Sequence, residues 1–177
     1  MQLLIATGNP GKLDEYRSLL ADVPVELVGL ADVGLKGMDV EESGVTFREN
    51  AEIKARAYAS AANMLTLADD SGLCVDALDG GPGIYSARFG GADLDDAGRR
   101  AKLLEAIRDT PDDQRQAQFV CVIVVIDPAD DTMLVTEGEV KGTITRQESS
   151  GTIFKAATPR WLIRFFSASG MSAKVTS

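Results

Sequence analysis

The chain has 177 residues, enough for one domain with a sizeable core, and its 45% hydrophobic and 25% charged content is that of a soluble globular protein. A formal charge of −9 argues against a broad electrostatic footprint for nucleic acid, and no apolar run reaches the length of a bilayer span. Histidine is absent altogether, which excludes histidine triads and histidine-ligated zinc and leaves acid–base work to Asp, Glu, Lys or Tyr. Met1 to Ala6 lack the charged region and cleavage pattern of a secretory signal, and Cys74 and Cys121 fall in apolar runs. Both cysteines are therefore read as reduced core residues of a cytoplasmic protein, with no membrane or nucleic-acid partner.

The pattern predicts a strand over Gln2 to Thr7, a turn Gly8-Asn9-Pro10-Gly11-Lys12, and a helix with Leu13, Tyr16, Leu19 and Leu20 on its apolar face. Asn9 suits the N-cap and Pro10 the first helical position. A glycine-bearing strand-to-helix turn offers N–H groups and a positive helix end to a phosphate, with Thr7 and Asn9 as neutral donors and Lys12 as a point charge; it reads equally well as a plain tight turn. Val25, Leu27 and Val28 mark a second strand within Pro24 to Leu30. After an acidic loop carrying Glu41 and Glu42, Thr46-Phe47-Arg48-Glu49 has capping-box spacing and opens an alanine-rich helix through Asn63. Asn50 and Lys54 share one face of it. Lys54 is then either a phosphate contact or part of a solvated face, and Glu42 either a metal ligand or a loop residue.

Leu65 to Ala68 reads as a buried strand ending in Asp69-Asp70-Ser71-Gly72. Adjacent carboxylates at a strand end repel unless a cation sits between them, and Mg²⁺ is the natural cation for carboxylate and phosphate oxygens. The same four residues also spell an ordinary turn. Leu73 to Leu78 is another strand candidate, followed by a glycine-dense loop from Gly80 to Gly91 with Arg88 embedded in it. Asp93 or Asp95 opens the next helix, with Ala97, Ala101, Leu104 and Ile107 inward. Ala117 to Ile126 is a buried strand, and Met133 to Thr145 is its antiparallel partner.

Four motifs stand in order: Thr7-Gly8-Asn9 with Lys12; Glu41-Glu42 with Gly44, Thr46-Phe47, Glu49-Asn50-Ala51 and Lys54-Ala55; Asp69-Asp70-Ser71-Gly72-Leu73; and Pro82-Gly83-Ile84-Tyr85-Ser86-Ala87-Arg88. Together they resemble the inosine/xanthosine triphosphate pyrophosphatase family. The resemblance implies an α/β fold with an elongated mixed sheet flanked by helices, two lobes with a central cleft, and a homodimer. It implies Mg²⁺-dependent hydrolysis of noncanonical purine triphosphates (dITP, ITP, XTP) to monophosphate and pyrophosphate. By that resemblance Thr7, Gly8, Asn9, Pro10, Gly11 and Lys12 cradle the triphosphate, Ser71, Lys54 and Arg88 touch substrate, and Asp70 acts with Asp69 and Lys12 in the chemistry. Asp70 and Glu42 hold the metal, with Glu41 as the neighbouring alternative.

The resemblance stops after Glu148, where the family's Phe-Gly-Tyr-Asp-Pro and Ser-His-Arg elements are missing. Composition changes at the same point: all 27 acidic residues precede residue 149, and the final 29 positions hold four basic residues and no acid. The chain thus divides into a pyrophosphatase domain over 1–148 and an atypical segment over 149–177, read as a frameshifted gene end or a poorly ordered terminus. A short basic amphipathic helix opening at Thr158-Pro159 is a competing reading of that segment. Loss of base recognition with retained phosphate and metal chemistry is the expected consequence, and a catalytically impaired nucleotide-binding protein is the alternative function.

Overall fold

A computed structural model describes residues 1–91, 93–149, 151–156 and 173–174. Strands β1 (Gln2–Ile5) and β2 (Glu26–Gly29) are joined by helix α1 (Pro10–Leu19), and helix α2 (Phe47–Ala62) leads into β3 (Thr66–Val75). Helix α3 (Asp96–Ala106), β4 (Gln116–Asp127), β5 (Thr132–Ser149), β6 (Thr152–Ala156) and the short β7 (Ala173–Lys174) follow. The chain divides into two compact units, one of Met1–Asp70 with Cys121–Glu137 and one of Ser71–Val120 with Gly138–Ser177.

In the first unit the spatial order is β2-β1-β3-β4-β5, with β1 parallel to both β2 and β3. Parallel neighbours need a helical crossover, which α1 and α2 supply. Three caps set the helices as the sequence predicts. Asn9 accepts from Gly11 N–H ahead of α1, and Thr46 accepts from Glu49 N–H ahead of α2. Asp95 accepts from Gly98 N–H ahead of α3, in the second unit. The Glu49 carboxylate reaches back to the N–H of Val45 rather than of Thr46, so the reciprocal half of the capping box is displaced by one residue. Helix α2 buries Ala51, Ala55, Tyr58 and Ala59, the spacing of one helical stripe, against Leu4, Ala68, Val122 and Val124. Small alanines let the helix approach the sheet closely. On α1 Tyr16 is buried but Leu19 is exposed, so the apolar face is narrower than the sequence suggests.

In the second unit, the remaining lengths of β3, β4 and β5 are followed by β6 and β7, with β6 antiparallel to β5 and parallel to β7. Ile153 and Phe154 of β6 are buried, so residues beyond 148 contribute to this unit's core. Arg115, 2% exposed, ties the end of α3 to β5 by donating to the carbonyls of Ile107, Ile144 and Thr145. The predicted inward face of α3 is corrected. Leu103 and Ile107 are buried, Leu104 is half-buried, and Ala97 and Ala101 are exposed, because the larger side chains gain more from burial. The proposed helix from Thr158 lies outside the described residues.

One element departs clearly from expectation. The strand does not end at Asp69; β3 runs unbroken through Asp69-Asp70-Ser71-Gly72 to Val75, absorbing most of the next predicted strand, and Asp76–Leu78 is a 3-10 turn. Turn propensity loses here to pairing, since β3 lies between β1 and β4.

Candidate active site

The continuity of β3 decides the geometry of the acidic pair. Successive strand residues face opposite sides of the sheet, so Asp69 and Asp70 do not share a cation. Each has its own. Lys12 of α1 forms an ion pair with Asp69, both largely withdrawn from solvent. Burial alone would lower the Lys12 pKa, but the charge and hydrogen bond of Asp69, with smaller contributions from Cys121 and Asp70, outweigh it and hold the ammonium above its ordinary value. Tyr16, one helical turn beyond Lys12, lies against the same carboxylate. Its phenol is pushed well above the usual range by burial and then by Asp69. Cys121 of β4 completes the cluster, its thiol raised to about 12 by burial and by Asp69.

Asp70 faces α2. Asn50 Nδ2 donates to Asp70 Oδ2 at 3.3 Å, and Lys54 Nζ stands 3.7 Å from Asp70 Oδ1. The same ammonium is 3.1 Å from Glu42 Oε1, so Glu42 and Asp70 bracket Lys54. Lys54 is thus no part of a solvated face: its side chain is only 16% exposed. Of the two glutamates in the acidic loop, Glu42 makes this contact, whereas Glu41 is exposed and its carbonyl accepts from Ser43 N–H. Among the described residues no group of three or more Cys, Asp or Glu side chains is arranged to hold a metal. Asp70 and Glu42 are the available oxygen pair, which suits an ion completed by water and substrate oxygens rather than a closed protein cage.

The turn from Thr7 to Lys12 uses its side chains on itself. Thr7 Oγ1 accepts from Asn9 N–H at 3.2 Å and Asn9 Oδ1 from Gly11 N–H at 2.9 Å. Thr7 and Asn9 therefore act as acceptors that shape the loop. Gly8 and Gly11 are exposed, and a Cβ built on Gly8 meets nothing within 4 Å. Neither packing nor a left-handed backbone requires glycine at position 8, which leaves open space directly over the turn. Pro10 begins α1.

Ser71 follows Asp70 on β3 and is half-buried, and Arg88 closes the 3-10 turn Gly83–Arg88, both in the second unit. Arg88 is exposed and its guanidinium lies 5.0 Å from the centroid of the Tyr85 ring. In the same turn Ser86 is buried, accepting from Leu73 N–H and donating to the carbonyl of Gly83.

Three participants escape a reading of the sequence alone. Tyr16 passes for an ordinary apolar position, Cys121 for one of a run of core residues, and Asn50 for a neighbour of Lys54 on a helix face. Only the last left a signal, a polar amide in a run of alanines.

The model of the Ham1 family matches residues 3–155, which include all of β6 but its last residue. The chain belongs to the Ham1 family. Its Ham1 relatives include a dITP/XTP pyrophosphatase of Xanthomonas axonopodis pv. citri (strain 306), 48% identical over 147 residues, covering 82% of this chain and 73% of the relative. A dITP/XTP pyrophosphatase of Escherichia coli (strain K12) is 49% identical over 152 residues, covering 85% and 76%. Among solved Ham1 structures, a HAM1 protein from Coxiella burnetii superposes with a TM-score of 0.78 at 37% identity, over 87% of this chain and 78% of that one. The Staphylococcus aureus Ham1 protein gives 0.78 at 38% identity over 89% and 82%. The mixed α/β sheet flanked by helices is therefore the Ham1 fold, as the sequence motifs anticipate.

Proposed function

We propose that this chain hydrolyses dITP, ITP and XTP to the nucleoside monophosphate and pyrophosphate, as a cytoplasmic homodimer. The observation that carries the reading is the placement of two partly buried lysines on two buried aspartates, Lys12 on Asp69 and Lys54 on Asp70 and Glu42, in the unit that also bears the open Gly8 turn. Two ammonium groups held by carboxylates form a ready site for a polyphosphate, which can take over their charge. The names of the Ham1 relatives supply the substrate class.

In this reading Thr7 to Lys12 receives the phosphates through the turn and the positive end of α1. Asp69 holds Lys12 in position for them. Asp70, oriented by Asn50, takes the proton of the water that attacks the α-phosphorus as the bond to the bridging oxygen of the leaving pyrophosphate breaks. Ser71, next in the chain, and Arg88 contact substrate. Asp70 and Glu42 would hold Mg²⁺. When bound, that ion supplies charge neutralisation for the departing pyrophosphate and a lower pKa for the water. Lys54, relieved of the two carboxylates, would turn to phosphate.

Pyrophosphate release from dITP, XTP, dATP and dTTP by the wild type and by Asp70→Asn tests the proposal. Mg²⁺-dependent release from dITP and XTP, lost in Asp70→Asn, is expected; absence of release from either by the wild type would refute it. The composition of residues 149–177, without an acid or a histidine, supports a second reading in which base recognition is reduced. Comparable rates on dITP and dATP would favour that reading. Full selectivity for dITP would remove it. Size-exclusion chromatography reads the dimer.

A further inference from the structure

Asn50 is 0% exposed, as is Thr66 among the described polar residues of the first unit, and it stands in a helix stripe otherwise built from alanine and tyrosine. Both ends of its amide are engaged. Oδ1 accepts from the N–H of Gly44 at 2.8 Å, and Nδ2 donates to Asp70 Oδ2 at 3.3 Å. Gly44 follows Glu42 by two residues, in the loop that delivers Glu42 to Lys54. A Cβ on Gly44 would lie 2.6 Å from Glu49 Cβ and 2.7 Å from Asn50 Oδ1, so the loop reaches the amide only because this residue has no side chain.

We infer that Asn50 is a positioning residue of the proposed reaction, which fixes the rotation of the Asp70 carboxylate and ties it to the loop that bears Glu42. The inference rests on the pyrophosphatase reading and extends it to a residue outside the charged set. The chemistry needs an amide. One planar group must accept from a backbone N–H on one side and donate to a carboxylate on the other, without a charge of its own. Aspartate would keep the first bond and lose the second, placing two carboxylates together in a buried site; leucine would leave both partners unmet. With Oδ2 held by the amide, Oδ1 is the oxygen directed to Lys54, where the phosphate and water are to arrive. A purely structural asparagine would spend its donor on backbone. This one spends it on the carboxylate on which the chemistry depends.

The test is a comparison of wild type, Asn50→Asp, Asp70→Asn and the exchanged pair Asn50→Asp/Asp70→Asn, with initial rates on dITP and metal-free thermal melting. Asn50→Asp is expected to lose roughly 10–100-fold in kcat, as for other groups that orient a ligand or base, with KM changed less than about threefold. Its melting temperature falls without metal or substrate, and the exchanged pair recovers most of that loss while staying inactive, because the amide and carboxylate have traded places. Wild-type kcat in Asn50→Asp, a loss in KM alone, or no recovery of melting in the exchanged pair would each overturn the assignment. A wild type inactive on dITP and XTP would overturn the proposed reaction, and the kinetic role of Asn50 with it. That outcome is told apart from failure of Asn50 alone because the latter leaves wild-type turnover intact.

Discussion

At Asp70, exchanging one carboxylate oxygen for an amide nitrogen removes the proposed base and leaves the shape. Asp70→Asn is expected to lower pyrophosphate release about 10²–10⁴-fold, the usual contribution of a positioned base, with the fold intact because Lys54 keeps Glu42 as its partner. Asp69 has a different task. Its carboxylate is nearly enclosed and its charge is answered by Lys12, so Lys12→Met strands a buried anion and is expected to cost about 3 kcal/mol in urea unfolding. Lys12→Met/Asp69→Leu should be less destabilised than Lys12→Met alone, since no unpaired charge remains. Equal or greater loss in the double variant would mean that the pair is not the cause. Both single variants lose activity by this account, but only Asp70→Asn does so without loss of stability, and that contrast separates the proposed base from the buried Lys12–Asp69 pair.

Helix α2 supplies the contacts described above to Asp70 of β3 and to Glu42, through Asn50 and Lys54. Gly44→Ala pushes the preceding loop off α2, and the expected result is a several-fold rise in the Mg²⁺ concentration for half-maximal rate, as Glu42 loses its seat, together with a lower melting temperature, as the buried Asn50 Oδ1 loses the Gly44 N–H. In the second unit, a Cβ on Gly142 would stand 2.3 Å from the carbonyl oxygen of Lys155, a backbone atom that cannot swing aside. Gly142→Ala is therefore expected to cost about 1–3 kcal/mol in urea unfolding, and an unchanged midpoint would mean that β6 contributes nothing to the second unit. The caps at Asn9, Thr46 and Asp95 are legible in the sequence because a cap is a bond between residues two or three apart. The Asp69–Lys12 contact joins residues 57 positions apart. No local pattern announces it, which is why the acidic pair reads as a turn sharing one cation and proves to be mid-strand with two. Lys54 is ambiguous for the same reason, and the alanines of α3 look like a buried face until Leu103 and Ile107 take it. The four motifs, by contrast, point to the family because their order is information that no single spacing holds.

Across the whole molecule the net charge of −9 means that raising the pH adds repulsion to an already anionic chain. The cluster around Asp69 sharpens that dependence. Cys121 ionises near 9.0 when unfolded and only near about 12 in the fold, so above pH 9 the unfolded chain sheds a proton that the native one retains. Tyr16 behaves in the same sense, its phenol raised above the ordinary 10.0. Lys12, raised above 10.5, adds stability that is complete below that value and is lost as pH climbs through its folded pKa. All three act in one direction. Melting temperature should be level from pH 7 to about 9 and then fall steadily, with Cys121 contributing first and on the order of a few kcal/mol by pH 12. Cys121→Val removes the thiol's share and keeps an apolar side chain of similar size, so its decline should begin later, near the range where Tyr16 and Lys12 titrate. Melting curves recorded at intervals between pH 7 and 11 for the two chains decide the matter. Superimposable declines would mean that burial and Asp69 do not raise the enclosed thiol, leaving the alkaline limit to Tyr16, Lys12 and general charge repulsion.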